Sequence, residues 1–134
     1  MYDTGSEIKT VRALSPQSDS GGSAKNGVVV DRLGFKSLVA SVITGAVSGT
    51  PTATSMTIKV QHGSASDGSD MADVSGAAAT ITAADSVAEI NVNCRGLKRY
   101  VRVTETTTFT GGTTPAVLVG ATISLGQAAE GPAS

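Results

Sequence analysis

Short stretches of alternating apolar and polar residues, separated by glycine, proline, serine and aspartate, run along most of the chain. In TSMTIKVQH, Met56, Ile58 and Val60 alternate with polar residues. Alternation with a period of two predicts a β-strand with one buried and one solvated face. The segment AVLVGATISLG repeats the pattern, with its apolar side chains at every second position from Val117 to Leu125.

Further strands are predicted where β-branched residues cluster between turn signals, over residues 28–30, 35–44, 77–84, 87–94 and 97–106. The alanine-rich segment 77–84 has helical propensity, but the trio Thr80, Ile81 and Thr82 favours a strand. Seven or eight short strands without a long helix indicate an all-β protein, a single β-sandwich. A jelly roll is one connectivity that this spacing allows.

The N-terminal region differs from the rest in composition. Residues 15–27, SPQSDSGGSAKNG, are polar and rich in glycine and serine, which predicts a segment that does not order on its own. We therefore divide the chain into an extended N-terminal arm (1–26), a β-sandwich domain (27–126) and a C-terminal tail (127–134). Our hypothesis is that the arm is mobile in the free protein and becomes ordered in an assembly.

Composition narrows the function. The chain has 134 residues, a formal net charge of −1, one cysteine and 3% aromatic residues. It contains no apolar run long enough to span a membrane, and its near-neutral charge argues against nucleic-acid binding. Because aromatic side chains usually supply much of the buried area, we expect modest stability for an isolated copy and additional burial from partners.

Few residues offer catalytic or metal-binding chemistry. His62 is the only histidine and is interpreted as a partly buried residue at a strand end. Cys94 shares a strand face with apolar residues, so we interpret it as a buried hydrophobic residue. Asp67, Asp70 and Asp73 have the oxygen ligands of a calcium site, but Asp-Gly is also a turn signal, and we favour a structural turn. No cofactor is expected.

Two groups of residues are candidate contact sites. Four cations lie within eight positions: Arg95, Lys98, Arg99 and Arg102. They suit a solvated strand face paired with acidic neighbours or a contact with a partner, for which an acidic protein is favoured over nucleic acid because the chain has few aromatic rings to stack on bases. In the arm, apolar side chains recur at a spacing of three, and they are candidate anchors on a partner: Ile8, Val11 and Leu14.

The order of motifs resembles that of capsid decoration proteins, also called cement proteins, of tailed bacteriophages. The resemblance runs from about Val28 to Gly126 and rests on IKVQHG, DGSDMADV, RGLKRYVRVTET and TGGTTPAVLVGATISLG. It implies a non-enzymatic virion protein that binds the outer surface of the phage head and stabilises contacts between major capsid protein subunits. It also implies self-association, for which we favour a trimer over a dimer on symmetry grounds.

Two other functions are compatible with a β-sandwich. One is a receptor- or carbohydrate-binding module of a head or tail fibre, although sugar sites usually need exposed aromatic rings, which this chain largely lacks. The other is a hydrolase that uses His62. No serine lies in a nucleophile-elbow motif, which argues against it.

Overall fold

The computed structural model describes residues 8–128, and their side chains as far as residue 126. Its elements are all strands, in the order β1 (Ile8–Asp19), β2 (Lys25–Asn26), β3 (Val30–Asp31), β4 (Phe35–Ser48), β5 (Ala53–Gly63), β6 (Ala72–Ile81), β7 (Val87–Asn93), β8 (Tyr100–Thr110) and β9 (Ala116–Ala128). The alanine-rich segment is therefore a strand, as predicted. No helix in the described part of the chain could cross a membrane.

The strands form two antiparallel sheets. One has the order β1-β9-β4-β7, and the other has the order β2-β8-β5-β6 with β3 also paired to β8. When β2 and β3 are counted as one interrupted strand, the eight strands pair from the outside inwards along the chain: first with last, second with seventh, third with sixth, and fourth with fifth. This is the pairing of a jelly roll, which confirms the β-sandwich and selects one of its connectivities.

The core lies between the two sheets and is aliphatic. The predicted alternation supplies it directly, because Met56, Ile58 and Val60 of β5 are fully buried and face the inward side chains of β9. Ile123 and Leu125 are among the largest of those β9 side chains. Burial of a side chain of this size contributes about 1.5–3 kcal/mol each relative to exposure, so packing alone can hold a sandwich without disulfides.

The structure corrects the predicted N-terminal arm. Ile8–Asp19 is a strand of the sheet, paired antiparallel with β9 from Ile8↔Gly126 to Asp19↔Val117. Register shifts on either side of Leu14 break the alternation, which hid this strand from a period-two search. Residues 25–26 also pair, with β8. Only residues 1–7 of the predicted arm, and residues 129–134 of the predicted tail, lie outside the described residues.

A glycine brings the two sheets together between β2 and β3. The Gly27 N–H donates to the Val103 carbonyl of β8 at 2.8 Å, and the next N–H, of Val28, donates to the Ala13 carbonyl of β1 at 2.8 Å. A Cβ atom on Gly27 would lie 2.0 Å from the Ala13 oxygen. The backbone can therefore bridge the sheets here only because this position has no side chain.

Candidate interaction surfaces

Six of the ten basic residues lie near one end of the sandwich, where β3 ends, β4 and β8 begin and β7 ends. The Arg32 guanidinium donates to the carbonyls of Leu97 and Lys98, which fixes the loop before β8 against the start of β4. The basic end, as we call this region, comprises Arg32, Lys36, Arg95, Lys98, Arg99 and Arg102.

Besides Arg32, two cations of the predicted cluster are held by partners within the domain. Arg99 forms a bidentate pair with Asp31, with nitrogen–oxygen distances of 3.0 and 2.8 Å, and it also lies over the ring of Tyr100. Hydrogen bonding to Arg99 lowers the pKa of Asp31 and raises that of the guanidinium. Arg102 donates to Gln61 across the sheet at 2.9 Å. Arg99 thus matches the alternative interpretation of a strand face paired with an acidic neighbour, whereas the partner of Arg102 is an uncharged amide.

The other two cations of the predicted cluster are exposed. The Lys98 backbone N–H donates to His62 Nδ1 at 3.2 Å, but its ammonium group has no ion pair among residues 8–126, and neither has the guanidinium of Arg95. Both side chains are exposed and can act on a partner, although the charge of Lys98 also helps to lower the pKa of Asp70. The structure thus divides the predicted cluster into a structural half and a free half.

The predicted arm residues are parts of β1. Leu14 is 2% exposed and belongs to the core, so its side chain is not available to a partner in the folded domain. Val11 is partly buried against the core, and Ile8 is half-buried at the start of the strand. Their spacing of three reflects a bulged strand rather than a set of exposed anchors.

An open cleft of about 730 Å³ adjoins the basic end, between the start of β4 and the end of β7. Phe35 and Val39 supply apolar surface, Asn91 and Asn93 supply amides, and the lining holds three cations and no carboxylate. The lining cations are Arg32, Lys36 and Arg95. The cleft therefore favours a ligand that is negatively charged and partly apolar.

The opposite end of the same sheet carries an exposed apolar patch. Ile43 on β4 pairs with Val87 on β7 and lies beside Leu118 of β9, and these side chains are 58%, 64% and 52% exposed. Gly45 leaves room for Leu118, because a Cβ atom added to Gly45 would lie 3.1 Å from the Leu118 Cβ. Exposed groups of large aliphatic side chains are typical of protein contact surfaces.

His62 and Cys94 lie where the alternation places them. His62 is half-buried at the end of β5 and accepts a backbone hydrogen bond, which confirms its structural interpretation. Cys94 is 3% exposed, and burial raises the pKa of its thiol, so the reactive thiolate is disfavoured. Cys94 is therefore part of the core, and His62 joins the end of β5 to the loop before β8 through a backbone hydrogen bond.

The carboxylates of the loop between β5 and β6 are bound to the protein itself. Asp70 accepts the backbone N–H groups of Ser64 and Ala65, at 2.9 and 3.1 Å. Asp67 accepts the Ser69 N–H at 2.9 Å. These hydrogen bonds lower the pKa of both acids. Among the residues described, no group of three or more histidine, cysteine or acidic side chains gathers as a metal site. The loop is a hydrogen-bonded turn.

Sequence reasoning missed one polar site inside the domain. Asp19 of β1 and Glu105 of β8 are both 0% exposed, and Thr107 lies between them, 3.0 Å from Asp19 and in close contact with Glu105. Glu105 and Thr107 have the same parity as Val101 and Val103, so the alternation along β8 already placed them inward.

Burial of the two acids separates their pKa values. Burial, together with hydrogen bonding to Asp19, raises the pKa of Glu105 to about 8. Burial acts in the same direction on Asp19, but hydrogen bonds from Glu105, the Gly21 N–H and Thr107, with the charge of Lys25, outweigh it and lower that pKa. At neutral pH Glu105 therefore keeps its proton and Asp19 is ionised, which lets two acids share one buried site.

Comparison with known proteins identifies the fold. The PBSX exported protein XepA is similar over 94% of this chain and 39% of its own, with a TM-score of 0.64 and 15% identity. The infectious bursal disease virus VP2 subviral particle is similar over 91% and 33% respectively, with a TM-score of 0.52 and 14% identity.

The chain thus spans well under half the length of these proteins, and at such identities the likeness establishes the fold alone. No protein-family model matches the chain. No curated protein matches it either.

Proposed function

We propose that this protein is a capsid decoration subunit, which binds the outer surface of a phage head and stabilises contacts between major capsid protein subunits. The observation that carries the proposal is the location of two exposed surfaces formed by the described residues. They are the basic end and the apolar patch, which lie at opposite ends of the sandwich. Surfaces of this kind suit shallow contacts repeated by symmetry.

The fold supports this assignment without deciding it. XepA is an exported protein, and VP2 forms a subviral particle. A jelly-roll sandwich is rigid because its two sheets pack against one shared core. A rigid domain loses little conformational entropy when it binds. The motif order of the sequence resembles decoration proteins independently of these structural similarities.

We assign the shell contact to the free half of the basic end. Arg95 and Lys98 are exposed and have no ion pair within residues 8–126, although the whole chain has a net charge of −1. An acidic surface on the shell would attract this end and orient the subunit before contact. Because exposed charges are screened by salt, binding of this kind weakens as ionic strength rises.

We assign self-association, as a trimer, to the apolar patch formed by Ile43, Val87 and Leu118. Each of these side chains is more than half exposed in the single chain. A copy seated at a three-fold or quasi-three-fold position of an icosahedral shell would bury the patch against identical neighbours. Light scattering of wild type and of the double variant I43S/L118S tests this assignment. A monomeric wild type would contradict it.

The direct experiment is to mix the purified full chain with phage heads that lack it, sediment the heads and count bound copies by cryo-electron microscopy. We expect saturable binding in register with the shell lattice. The double variant R95E/K98E should bind more weakly, while K9E, which changes one charge at the opposite edge of the sheet, should bind as wild type. Absence of lattice binding by wild type at low and physiological salt would overturn the proposal.

The alternative of a receptor- or carbohydrate-binding module depends on the cleft, where Phe35 is the one aromatic ring in the lining. A glycan array probed with the full chain separates the two functions. Specific sugar binding that is lost in F35A would favour the module.

A further inference from the structure

One edge of the sandwich is left open for another strand. β7 lies at the end of the order β1-β9-β4-β7 and pairs with β4 alone among the described strands. The hydrogen bonds Cys94 N to Lys36 O, at 3.0 Å, and Thr44 N to Ser86 O, at 2.8 Å, fix the phase of this pairing. In an antiparallel ladder, the residues between such pairs direct their N–H and C=O groups to the opposite side.

The outward backbone groups of β7 therefore belong to Val87, Glu89, Asn91 and Asn93. The side chains of these same residues are exposed on the outer face of the sheet. A strand added to this edge would thus form backbone hydrogen bonds with residues whose side chains it could also contact. That combination is the basis of peptide recognition by strand addition, where the backbone supplies affinity and the side chains supply specificity.

The charge changes along this edge, from positive near the C-terminal end of β7 to negative at Glu89. At the C-terminal end of β7 lies the cleft, whose lining contains Lys36 and Arg95 and no carboxylate. Two residues before Asn91, the exposed side chain of Glu89 supplies the opposite charge. An added strand would be favoured by acidic side chains near Arg95 and disfavoured by acidic side chains near Glu89, because like charges on neighbouring strands repel.

We infer that an extended acidic segment of a partner protein adds to β7 as the fifth strand of this sheet and places its carboxylates in the cleft beside Lys36 and Arg95. The identity of the partner as the major capsid protein rests on the proposed function; the mode of recognition does not. Strand addition would also cover the open edge, which otherwise remains a site for unspecific pairing.

Addition of a strand to the β7 edge can be blocked by removing a single N–H group. In N91P the outward N–H of residue 91 is lost, and proline is tolerated at an edge position whose N–H faces away from the sheet. N91A removes the same side chain but keeps the N–H, so it is the matched control. Thermal unfolding of both variants verifies that the domain is folded.

The probe is a fluorescent ten-residue peptide that alternates valine with glutamate in one half and valine with threonine in the other. It is made in both orders, together with counterparts that carry lysine in place of glutamate. Binding to the full chain is measured by anisotropy. We expect one order of the acidic peptide to bind and its lysine counterpart to bind at least about tenfold more weakly.

Among the variants, N91P should weaken binding of the acidic peptide by about tenfold relative to N91A, as expected for loss of a hydrogen bond and displacement of its neighbours. K36E/R95E should abolish the preference for glutamate over lysine, and K9E should leave it unchanged. Equal binding of acidic and lysine peptides, or equal binding by N91P and N91A, would overturn the inference.

Two further outcomes separate this inference from the proposed function. If N91P changes the oligomeric state of the chain, the occupant of the edge is a second copy, and the inference is wrong. If wild type binds the acidic peptide but not phage heads, strand addition stands and the decoration function fails. If heads bind N91P as well as N91A, the decoration function stands and strand addition fails as its mode of contact.

Discussion

The two lateral sides of the sandwich are built differently. On one side, the backbone around Gly27 hydrogen-bonds to both sheets, and the buried acids Asp19 and Glu105 meet across them through Thr107. On the other side, β6 and β7 are the outer strands of their sheets and are joined by a short loop. The first is the closed side of the domain, and the second is its open side.

This difference separates stability from binding. The closed side commits its polar groups to one another, so changes there should cost folding free energy. The open side leaves backbone groups of β7 unpaired within the described residues, so changes there should alter contacts with partners and leave the fold intact. The following experiments test that division, beginning with the largest expected effect.

Replacing Gly27 with alanine should disrupt the closed side most severely. The added Cβ would lie 2.0 Å from the Ala13 oxygen and 2.9 Å from the Val103 oxygen, both backbone atoms that cannot move alone. We expect a loss of about 4 kcal/mol or more in the free energy of unfolding, measured by urea denaturation. G126A is the control, because its Cβ would meet only the Ser37 hydroxyl, at 3.3 Å. Equal stability of G27A and G126A would contradict the bridging role.

The buried acid pair should make stability depend on pH in an unusual direction. Because the pKa of Glu105 rises from 4.5 to about 8 on folding, the native state retains a proton that the unfolded chain loses. The free energy of unfolding should therefore fall as pH rises from about 4.5 to about 8, by a total on the order of 4 kcal/mol. Asp19 acts oppositely, since its lowered pKa removes stability below its usual value of 3.8.

The isosteric variant E105Q checks this assignment, because an amide has almost the same shape as the acid but cannot ionise. Urea denaturation at several pH values should show a flatter profile for E105Q than for wild type between pH 4.5 and 8. A wild-type stability that rises over this range would contradict the retained proton.

The Thr107 hydroxyl should contribute less than the proton on Glu105. T107V keeps the shape of the side chain but removes the group that bonds Asp19, leaving a buried carboxylate with fewer partners. We expect a loss of about 2 kcal/mol, observed as a lower midpoint of chemical denaturation. T108V, one position along β8 and exposed, should cost little. Similar losses of stability in both variants would show that replacing any threonine of β8 is destabilising, which would contradict the role of the Thr107 hydroxyl.

On the open side, the ion pair between Lys59 and Asp73 should matter least. It joins β5 to the outer strand β6 at 3.1 Å, but both side chains are about half exposed. Exposed pairs of this kind contribute roughly 0–1 kcal/mol. The free energy of unfolding of K59M should therefore lie within about 1 kcal/mol of that of wild type, measured by urea denaturation. A larger loss would show that the open side also carries stability.

Strand alternation predicted much of the fold. The inward faces of β5 and β9 were predicted correctly because Met56–Val60 and Val117–Leu125 each keep a strict period of two. The connectivity could not be read in the same way, since it depends on which strands pair across long separations. Local patterns carry no information about partners that are far apart in the chain.

The main error in the fold was β1, and it has a local cause. Register shifts around Leu14 interrupt the alternation, and the polar residues that follow resemble a linker. Ala13 and Leu14 are both buried although they are adjacent, which a regular strand does not allow. A bulged strand can be recognised only when its partner, here β9, is known.

The candidate site was predicted in part. The cluster of cations was visible, but the separation of the held residues Arg99 and Arg102 from the free residues Arg95 and Lys98 depends on Asp31 and Gln61, which are distant in sequence. The buried pair was within reach, because Glu105 continues the inward parity of Val101 and Val103. An acidic residue at an inward-facing position of a strand indicates an internal polar site.

The position of β9 has a consequence for how the domain forms. β9 is the last of the described strands in chain order, yet it lies between β1 and β4, so the sheet β1-β9-β4-β7 has a gap at its centre until β9 has been added. With pairings as distant as Ile8 with Gly126, we expect folding to be slow. During that interval β1 has no strand beside it, and loss of β9 by early termination would leave a chain prone to aggregation rather than a smaller stable domain.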